Sequence, residues 1–232
     1  MTALLARTIA VLGGTGAEGS GLAMRWARAG LTVIIGSRQA EKGAAAAVDY
    51  NARIGPVPHP ITGADNRTAA AAADIVVLTV PYAAHRATLG DVQAALAGKV
   101  LIDVTVPLKP PKVSVVQLPP AGSASQEAQD FLGPEVQVVA AFQNISAEHL
   151  GDPDHKIDCD VLVAGNSREA KQIAIELAGL AGLDAFDAGP LQNAGVIEGL
   201  TSVLIGLNIR LKVKGAGIRL TGVARTSSQW VT

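Results

Sequence analysis

The sequence has little cysteine, few aromatic side chains and almost no net charge. Cys159 is the single cysteine, so no internal disulfide can form and nothing indicates an oxidising compartment. Phe, Tyr and Trp make up only 3% of the residues, which leaves few rings on which nucleic-acid bases could stack. The formal net charge of −1 argues against a surface that binds nucleic acid or anionic membranes.

Long apolar segments are also scarce. Residues 1–7 show no charged start followed by a long apolar stretch, as a signal peptide would. No apolar run approaches the ~20 residues needed to span a bilayer, so we expect a cytoplasmic protein. The chain is nevertheless 49% hydrophobic and 17% charged, which is apolar enough to bury a substantial core.

Short apolar runs alternate with alanine-rich stretches of helical character along the 232 residues. Most of the runs have the length and β-branched content of strands buried on both faces. The predicted strands are 8–12, 31–35, 75–80, 100–106, 136–142, 161–164 and 183–187. The predicted helices are 17–29, 39–52, 67–73, 83–97, 124–132, 168–180 and 195–214. The segment 55–65, with its three prolines, is predicted as a loop or an irregular strand, and the polar segment 149–160 is predicted as a loop.

This order predicts an α/β fold, a Rossmann-type doubly wound parallel sheet with helices on both faces. The alternation loosens after Phe142. We therefore predict a Rossmann domain at residues 1–142 and a smaller C-terminal α/β domain at residues 143–232, with a second-substrate cleft between them. The apolar side of the last predicted helix packs either on the first domain or on a second subunit.

A glycine pattern lies where the first predicted strand meets the first predicted helix. Gly14, Gly16 and Gly19 form G-x-G-x-x-G in the context that a dinucleotide-binding site requires. Gly14 permits the tight turn, Gly16 lets the backbone approach a pyrophosphate, and Gly19 lets helix and strand pack closely. We expect the side chain of Glu18 to point to solvent, away from the phosphates; the alternative for the whole motif is a turn without a ligand. The candidate cofactor contacts in this turn are Gly14, Thr15, Gly16, Ala17 and Glu18.

The end of the second predicted strand indicates which dinucleotide binds. An Asp or Glu that would accept the ribose hydroxyls of NAD is absent, and Ser37 and Arg38 stand there instead. Lys42 follows one helical turn later, and with Thr15 these side chains could surround a 2′-phosphate. We therefore predict NADP(H) as cofactor, the alternative being that Arg38 and Lys42 are solvated charges at a helix start.

Two further strands end in a proline at the edge of the sheet where ligands bind in doubly wound folds. The first ends at Thr79, Val80 and Pro81, and the second at Val106 and Pro107. These residues are candidate contacts to a cofactor ring, although the prolines are equally consistent with simple strand termination.

Nearly the whole chain resembles the NADPH-dependent F-420 reductases, also called F-420H2:NADP oxidoreductases. Eight motifs that recur in order carry the resemblance. They are Gly-Gly-Thr-Gly at 13–16, Gly-Ser-Arg at 36–38, Leu-Thr-Val-Pro at 78–81, Ala-Phe-Gln-Asn-Ile-Ser-Ala at 141–147, Asp-Cys-Asp-Val at 158–161, Asp-Ala-Gly-Pro-Leu-Gln-Asn at 187–193, Glu-Gly-Leu-Thr at 198–201 and Gly-Ile-Arg at 217–219.

The resemblance implies a direct hydride transfer between C4 of the nicotinamide of NADPH and C5 of the deazaflavin coenzyme F-420. Both cofactors carry the reactive chemistry, so neither a protein nucleophile nor a metal is needed. By position it implies that Thr15, Ser37, Arg38 and Lys42 contact the NADP phosphates, and that Thr79 and Pro81 border the nicotinamide and its ribose. It also implies a homodimer. The deazaflavin pocket that it implies is formed by Val106, Pro107, Gln143, Asn144, Ile145 and Asn193.

Three other sets of residues could carry chemistry. His85 could donate a proton near the nicotinamide, or could simply lie at a helix start. The cluster His149, Asp152, Asp154, His155, Asp158, Cys159 and Asp160 lacks the paired spacing of a zinc site, so we predict no metal there. The basic residues Arg210, Lys212, Lys214, Arg219 and Arg225 could hold the phosphodiester and glutamate tail of F-420, or form a solvated helix face.

Two functions therefore compete with the exchange of hydride between NADP(H) and F-420. One is an NADPH-dependent reductase of a small carbonyl or imine compound, which would need an acid such as His85. The other is a non-catalytic NADP(H)-binding protein. The expected partners are small molecules, without nucleic acid or membrane.

Overall fold

An eight-stranded sheet forms the centre of the protein in the computed structural model, which describes residues 2–223. The strands are β1 (Thr8–Leu12), β2 (Thr32–Ser37), β3 (Thr62–Asp65), β4 (Ile75–Leu78), β5 (Val100–Asp103), β6 (Gln137–Ala140), β7 (Val161–Gly165) and β8 (Ala185–Asp187). They lie in the order β3-β2-β1-β4-β5-β6-β7-β8, and neighbouring strands are parallel except for the antiparallel pair β6 and β7. Arg225, one of the basic residues named above, lies outside the described residues.

The helices cover both faces of the sheet, as the alternation of buried side chains along each strand requires. Ile9 and Val11 of β1 belong to one apolar core, and Ala10 and Leu12 to the other. The helices are α1 (Thr2–Leu5), α2 (Ala17–Arg28), α3 (Ala40–Ile54), α4 (Asn66–Ala72), α5 (Tyr82–Leu96), α6 (Ala124–Leu132), α7 (Ala147–Leu150), α8 (Arg168–Leu180) and α9 (Ala194–Leu211). Helices α2, α3 and α8 pack on the first core, and α4, α5, α6 and α9 on the second. The predicted doubly wound, Rossmann-like α/β fold is confirmed.

One difference from prediction is the antiparallel pairing of β6 and β7 in a sheet that was predicted to be parallel, and the others lie in the irregular segments. The proline-rich segment 55–65 ends in β3, which pairs with β2 at the edge of the sheet. The short helix α7 begins just before the polar segment 149–160. The division of the chain at residue 142 stays a prediction, and the sheet itself continues across that point because β7 pairs with β6.

The helical segment Leu191–Leu211 is long enough to span a bilayer, and its most apolar 18-residue window has a mean hydropathy of 1.4. Polar residues interrupt the segment, so it contains no long run of consecutive apolar residues although its average is high. Only 33% of its most apolar 18-residue window is buried. Near its middle, however, the fully buried carboxyl of Glu198 accepts hydrogen bonds from the amides of Ala124 and Ser125 at 2.7 and 3.0 Å. These bonds attach the helix to α6 of the same chain.

A buried arginine joins α2 to the C-terminal half of the chain. Arg25 is only 8% exposed, and its guanidinium lies within hydrogen-bond distance of five backbone carbonyl oxygens. The acceptors are Leu150 (3.2 Å), Ala181 (3.1 Å), His149 (3.1 Å), Asp152 (2.6 Å) and His155 (2.8 Å). One turn of helix is thereby tied to α7, to the segment that follows it and to the end of α8.

We predict that Arg25→Met lowers the free energy of unfolding by about 3–5 kcal/mol, because it leaves several buried carbonyl groups without a donor. The matched control is Arg28→Met on the same helix, which removes a 2.7 Å ion pair with Asp154 between half-exposed and exposed side chains. That change should cost less than ~1 kcal/mol. Urea denaturation of both variants measures the difference, and equal losses would contradict the central role given to Arg25.

Candidate functional site

A cavity of about 1320 Å³ opens at the carboxyl ends of the central strands. Its lining includes Gly13 after β1, Ser37 at the end of β2, Thr79 after β4 and Thr105 after β5. The order of the strands reverses between β1 and β4, and this reversal splays the connecting loops apart and leaves a crevice. The volume is larger than that of most single-ligand pockets, so the cavity can hold two cofactor-sized ring systems.

The glycine turn closes one end of this cavity. Its left-handed residue is Gly13, with φ of 77°, and not Gly14 as the motif alone predicts. Gly14 instead lacks room for a side chain, since a Cβ there would lie 2.7 Å from the carbonyl oxygen of Val11. A Cβ on Gly19 would collide with the hydroxyl of Thr79 and lie 2.8 Å from Cα of Gly14. Gly19 therefore lets α2 pack closely against β1 and β4, as predicted.

The start of α2 is free to receive an anion. Gly16 is the N-cap residue, no side chain caps the helix, and Gly16 is exposed on the cavity wall. The first backbone N–H groups of the helix and its positive dipole end therefore face the cavity. This arrangement suits a pyrophosphate, which supports the sequence-based hypothesis for Thr15, Gly16 and Ala17.

The expectation that Glu18 points to solvent is wrong. Glu18 lines the cavity, and its Oε1 atom is buried without a hydrogen-bond partner among the described residues. Burial raises the pKa of this carboxyl group to about 8. The sequence could not show this, because the direction of the side chain depends on the packing of α2 against α7.

The predicted cationic end of the cavity is present at the end of β2. Ser37, Arg38 and Lys42 all line the cavity, together with Gln39. Arg38 and Lys42 are exposed, and neither forms an ion pair with the part of the chain that the structure describes. Two cations that form no ion pair with the described part of the chain, beside a buried serine hydroxyl, make a site suited to a phosphate monoester.

The opposite wall is formed by the segment after β6. Phe142 is buried and adopts a left-handed conformation with φ of 75°, a strained geometry for an aromatic residue. Its ring packs edge-on against Trp26 of α2, with 5.9 Å between centroids. The turn at Phe142 directs Gln143, Asn144 and Ile145 into the cavity, and all three line it.

Helix α9 supplies a wall that the sequence analysis missed. Its lining residues, Thr201, Leu204, Ile205 and Asn208, follow one another at helical spacing and so share one face. The hydroxyl of Thr201 donates to the backbone oxygen of Gln143 at 2.7 Å, which joins this face to the segment after β6. The polar residues Thr201 and Asn208, on the same helix face as Leu204 and Ile205, were the signal that could have identified this face as part of a cavity wall.

Asn66 was also missed. It follows β3 directly, lines the cavity, and is buried with an Oδ1 that has no hydrogen-bond partner within residues 2–223. A polar residue at the carboxyl end of a strand is a recognisable signal, but here the strand itself was hidden in the proline-rich segment.

Most of the predicted site residues therefore meet at one cavity. The lining includes Thr15, Gly16, Ala17, Glu18, Ser37, Arg38, Lys42, Thr79, Val80, Pro81, Val106, Gln143, Asn144 and Ile145. Four candidates lie off the wall. Gly14 and Pro107 are buried behind it, and Asn193 is exposed and donates through its side chain to the carbonyl oxygen of Ala188 at 2.6 Å. The fourth, His85, is 2% exposed and does not line the cavity.

His85 forms a buried pair with Asp103. Its Nε2 lies 2.8 Å from the Asp103 carboxylate, which also accepts the amide of Thr105 at 3.0 Å. Burial opposes the charge of the imidazolium, but the neighbouring Asp103 outweighs burial and raises the pKa of His85. The role that this geometry supports is structural, because the imidazole tethers α5 to the end of β5 behind the cavity wall.

The remaining candidate clusters do not converge on the cavity. Within residues 2–223 no three His, Cys, Asp or Glu side chains are arranged to hold a metal ion. Arg219 lies among three carboxylates, 3.0 Å from Asp158, 3.0 Å from Asp160 and 3.6 Å from Asp184. Lys214 pairs with Glu148 at 3.2 Å. These two basic side chains are thus engaged within the protein.

The chain is similar to proteins of known family. The model of the family described as NADP oxidoreductase, coenzyme F-420-dependent, matches residues 8–107. The F-420-dependent NADP reductase of Methanothermobacter thermautotrophicus is 45% identical over 229 residues, covering 96% of this chain and 98% of the relative. The reductase of the same name from Methanocaldococcus jannaschii is 41% identical over 221 residues, covering 93% and 98%.

Solved structures show the same relationship. A candidate F-420-dependent NADP reductase from Arthrobacter sp. FB24 superposes with a TM-score of 0.75 at 30% identity, covering 93% of this chain and 99% of that one. A pyrroline carboxylate reductase from Plasmodium falciparum superposes with a TM-score of 0.59 at 13% identity, covering 90% and 67%. At that identity only the fold is shared.

Burial and the charge of Asp103 shift the pKa of His85 in opposite directions, so the effect of removing Asp103 can be predicted. An NMR titration should place the pKa of His85 above 6.5 in the native protein. In Asp103→Asn it should fall below 6.5, since burial remains while the charge is gone. The pair therefore stabilises the fold most below pH 6.5, the unfolded histidine value, and this contribution is lost as the pH rises through the raised folded value.

The control is Asp91→Asn, which removes an exposed carboxylate from the same helix, where it pairs with Arg67 at 3.1 Å. It should leave the His85 titration unchanged. A His85 curve that is insensitive to Asp103→Asn would show that the pair does not set the charge of the imidazole.

Proposed function

This chain belongs to the family of coenzyme F-420-dependent NADP reductases, and we propose on that premise that it transfers a hydride between NADP(H) and F-420. The observation that carries the proposal is one continuous cavity with two different ends. One end has the features of a phosphate site, namely the glycine turn, the free start of α2 and the cations after β2. The other is lined by amide and apolar side chains from the segment after β6 and from α9.

The residues present fit a dinucleotide that carries a 2′-phosphate. Gly16 leaves the backbone open to a pyrophosphate, and Gly19 keeps α2 close to the strands that frame it. Arg38 and Lys42 would hold the 2′-phosphate, with the Ser37 hydroxyl beside them. No carboxylate follows β2 at this point to repel that phosphate.

The chemistry of the step resides in the two ring systems, whose nicotinamide C4 and deazaflavin C5 exchange the hydride. The protein positions them. Thr79, Val80 and Pro81 line the cavity and would border one side of the rings, and Val106 and Gln143–Ile145, which also line it, would border the other. The apolar side chains of Leu204 and Ile205 on α9 exclude water from this end, which favours a direct transfer between closely held rings.

The reduction of a small carbonyl or imine compound finds less support. The proton donor that the sequence suggested for that reaction, His85, is buried behind the wall and engaged with Asp103, so it does not reach a substrate in the cavity. A non-catalytic role would not account for the space for a second ring at the end of the cavity lined by the segment after β6 and by α9. Neither alternative is favoured by a specific observation of the structure.

We also infer a soluble, cytoplasmic homodimer whose ligands are small molecules. The support for the dimer is the exposed apolar side of α9, where Val196 is 74% exposed and Val203, two turns later on the same face, is 45% exposed. Large exposed apolar side chains on one helix are typical of an interface between subunits. Sedimentation velocity of the purified protein tests this inference.

The function is tested by mixing the purified protein with NADPH and F-420 and following the visible absorbance of the deazaflavin. We expect rapid bleaching with NADPH and little with NADH, because the proposed partner of Arg38 and Lys42 is the 2′-phosphate, which NADH lacks. Tight NADPH binding without bleaching would refute hydride transfer to F-420 and leave the dinucleotide site in place.

The choice of cofactor is tested by Arg38→Ala. We expect weaker NADPH binding by about 1.5–3 kcal/mol, the range for hydrogen bonds to charged groups, with little change for NADH. Arg67→Ala is the matched control, since it removes an exposed arginine that pairs with Asp91 outside the cavity. Fluorescence titration measures both affinities, and equal losses for the two dinucleotides would argue against a 2′-phosphate site at Arg38.

A further inference from the structure

Unsatisfied oxygen atoms gather at the cavity. Five buried side-chain oxygens of the described residues have no hydrogen-bond partner. Four of them, on Glu18, Asn66, Gln143 and Asn144, belong to residues that line the cavity. A buried polar atom without a partner costs about 1–3 kcal/mol, so such atoms in one place indicate the position of a ligand's polar groups.

The two amides of the far wall have a fixed orientation. Nε2 of Gln143 donates to the backbone oxygen of Asp103 at 2.7 Å, and Nδ2 of Asn144 donates to that of Asp160 at 2.8 Å. A flipped amide would place its oxygen against a carbonyl oxygen, so the flip is disfavoured. The free oxygens of both amides are therefore hydrogen-bond acceptors that still need a donor.

Glu18 faces the same region from α2. Gly21 and Arg25 follow it at three and seven residues and therefore lie on the same face of the helix. Gly21 packs against the backbone of Leu150, and Arg25 donates to it. The carboxyl of Glu18 is thus directed towards α7 and the segment that precedes it, and burial raises its pKa to about 8. At neutral pH the group is mainly the uncharged acid, which can donate and accept.

We propose that Glu18 is a specificity-determining residue that binds, as a neutral carboxylic acid, the amide-type edge of a redox ring, next to the acceptor oxygens of Gln143 and Asn144. The inference rests on the proposed function for the identity of the rings. Such an edge, with an N–H and a carbonyl, occurs in the carboxamide of nicotinamide and in the pyrimidinedione of the deazaflavin. A neutral acid also resolves the conflict of a glutamate at a helix start that receives phosphates, since an ionised carboxylate there would repel them.

The test compares Glu18→Leu with Glu18→Gln in the otherwise native protein. Leucine keeps an apolar side chain that extends to Cδ and removes the polar oxygens, and glutamine keeps the full length with an uncharged donor and acceptor. Three quantities are measured for each: the Kd of NADP+, the Kd of 2′-phospho-ADP-ribose, which has the phosphates but no nicotinamide, and the KM of F-420. Glu41→Leu, on the exposed start of α3, is the control.

We expect Glu18→Leu to weaken NADP+ binding about three- to tenfold, the value of one neutral hydrogen bond, and to leave 2′-phospho-ADP-ribose unchanged. Glu18→Gln should retain NADP+ affinity within about twofold. A rise in the KM of F-420 with unchanged NADP+ affinity would assign the same contact to the deazaflavin. Thermal unfolding without ligand is the check on folding, and Glu18→Leu should be at least as stable as the native protein because a buried unpaired oxygen is removed.

Three results would overturn the proposal. The first is no change in any of the three quantities. The second is an equal loss for NADP+ and for 2′-phospho-ADP-ribose, which would mean that Glu18 acts on the phosphates. The third is a loss in Glu18→Gln as large as in Glu18→Leu, which would require the charged carboxylate. Because the NADP+ measurements need no F-420, they can succeed even if the native protein fails to reduce the deazaflavin.

Discussion

The buried guanidinium of Arg25 holds together the two walls of the cavity. The first wall begins with the glycine turn and the start of α2, and the second with the segment after β6 and α7. Arg25 lies two turns beyond Glu18 on α2 and donates to carbonyl groups in α7, in the segment that follows it and at the end of α8. Trp26 adds a second link, because its indole donates to Leu177 at 2.8 Å and its ring packs against Phe142. The separation of the walls is therefore fixed by α2, which belongs to the phosphate end.

Charge is distributed unevenly along the cavity, and this follows from where each group can find a partner. Arg38 and Lys42 are exposed and keep their charge available, whereas the ionisable groups behind the ring end are buried and engaged. Glu198 illustrates the second kind, since burial raises its pKa to about 7 while three donors from α6 satisfy its oxygens. Three residues later, Thr201 lines the cavity. The anchored carboxyl group thus positions the face of α9 without contributing a charge to the site.

The sequence was sufficient for those parts of the site that depend on local geometry. The strand–glycine–helix pattern correctly placed Thr15 and Gly16 at the cavity. The positions of Arg38 and Lys42 were predicted from the rule that ligands bind at the carboxyl ends of parallel strands. The direction of Glu18 was predicted wrongly because it depends on α7, which lies more than a hundred residues later. His85 was a reasonable candidate by position, but its burial depends on Asp103 of a neighbouring strand. Asn66 was missed because prolines obscured the strand before it.

The two ends of the cavity differ in how far apart in the sequence the residues that form them lie, and this difference bears on substrate choice. The glycine turn and the start of α2 form a phosphate site that many proteins with a Rossmann sheet share, so they identify a dinucleotide but no second substrate. We propose that the second substrate is selected by the wall that begins at Phe142, where a strained backbone turns Gln143 and Asn144 towards the cavity and neighbouring carbonyl groups fix their amides. Glu18 belongs to α2, which carries the shared phosphate site, and it lines the same cavity as Gln143 and Asn144. A residue in that position can change which ring is accepted without disturbing the phosphate site, and it is there that we expect proteins of this fold to differ in the substrate they reduce.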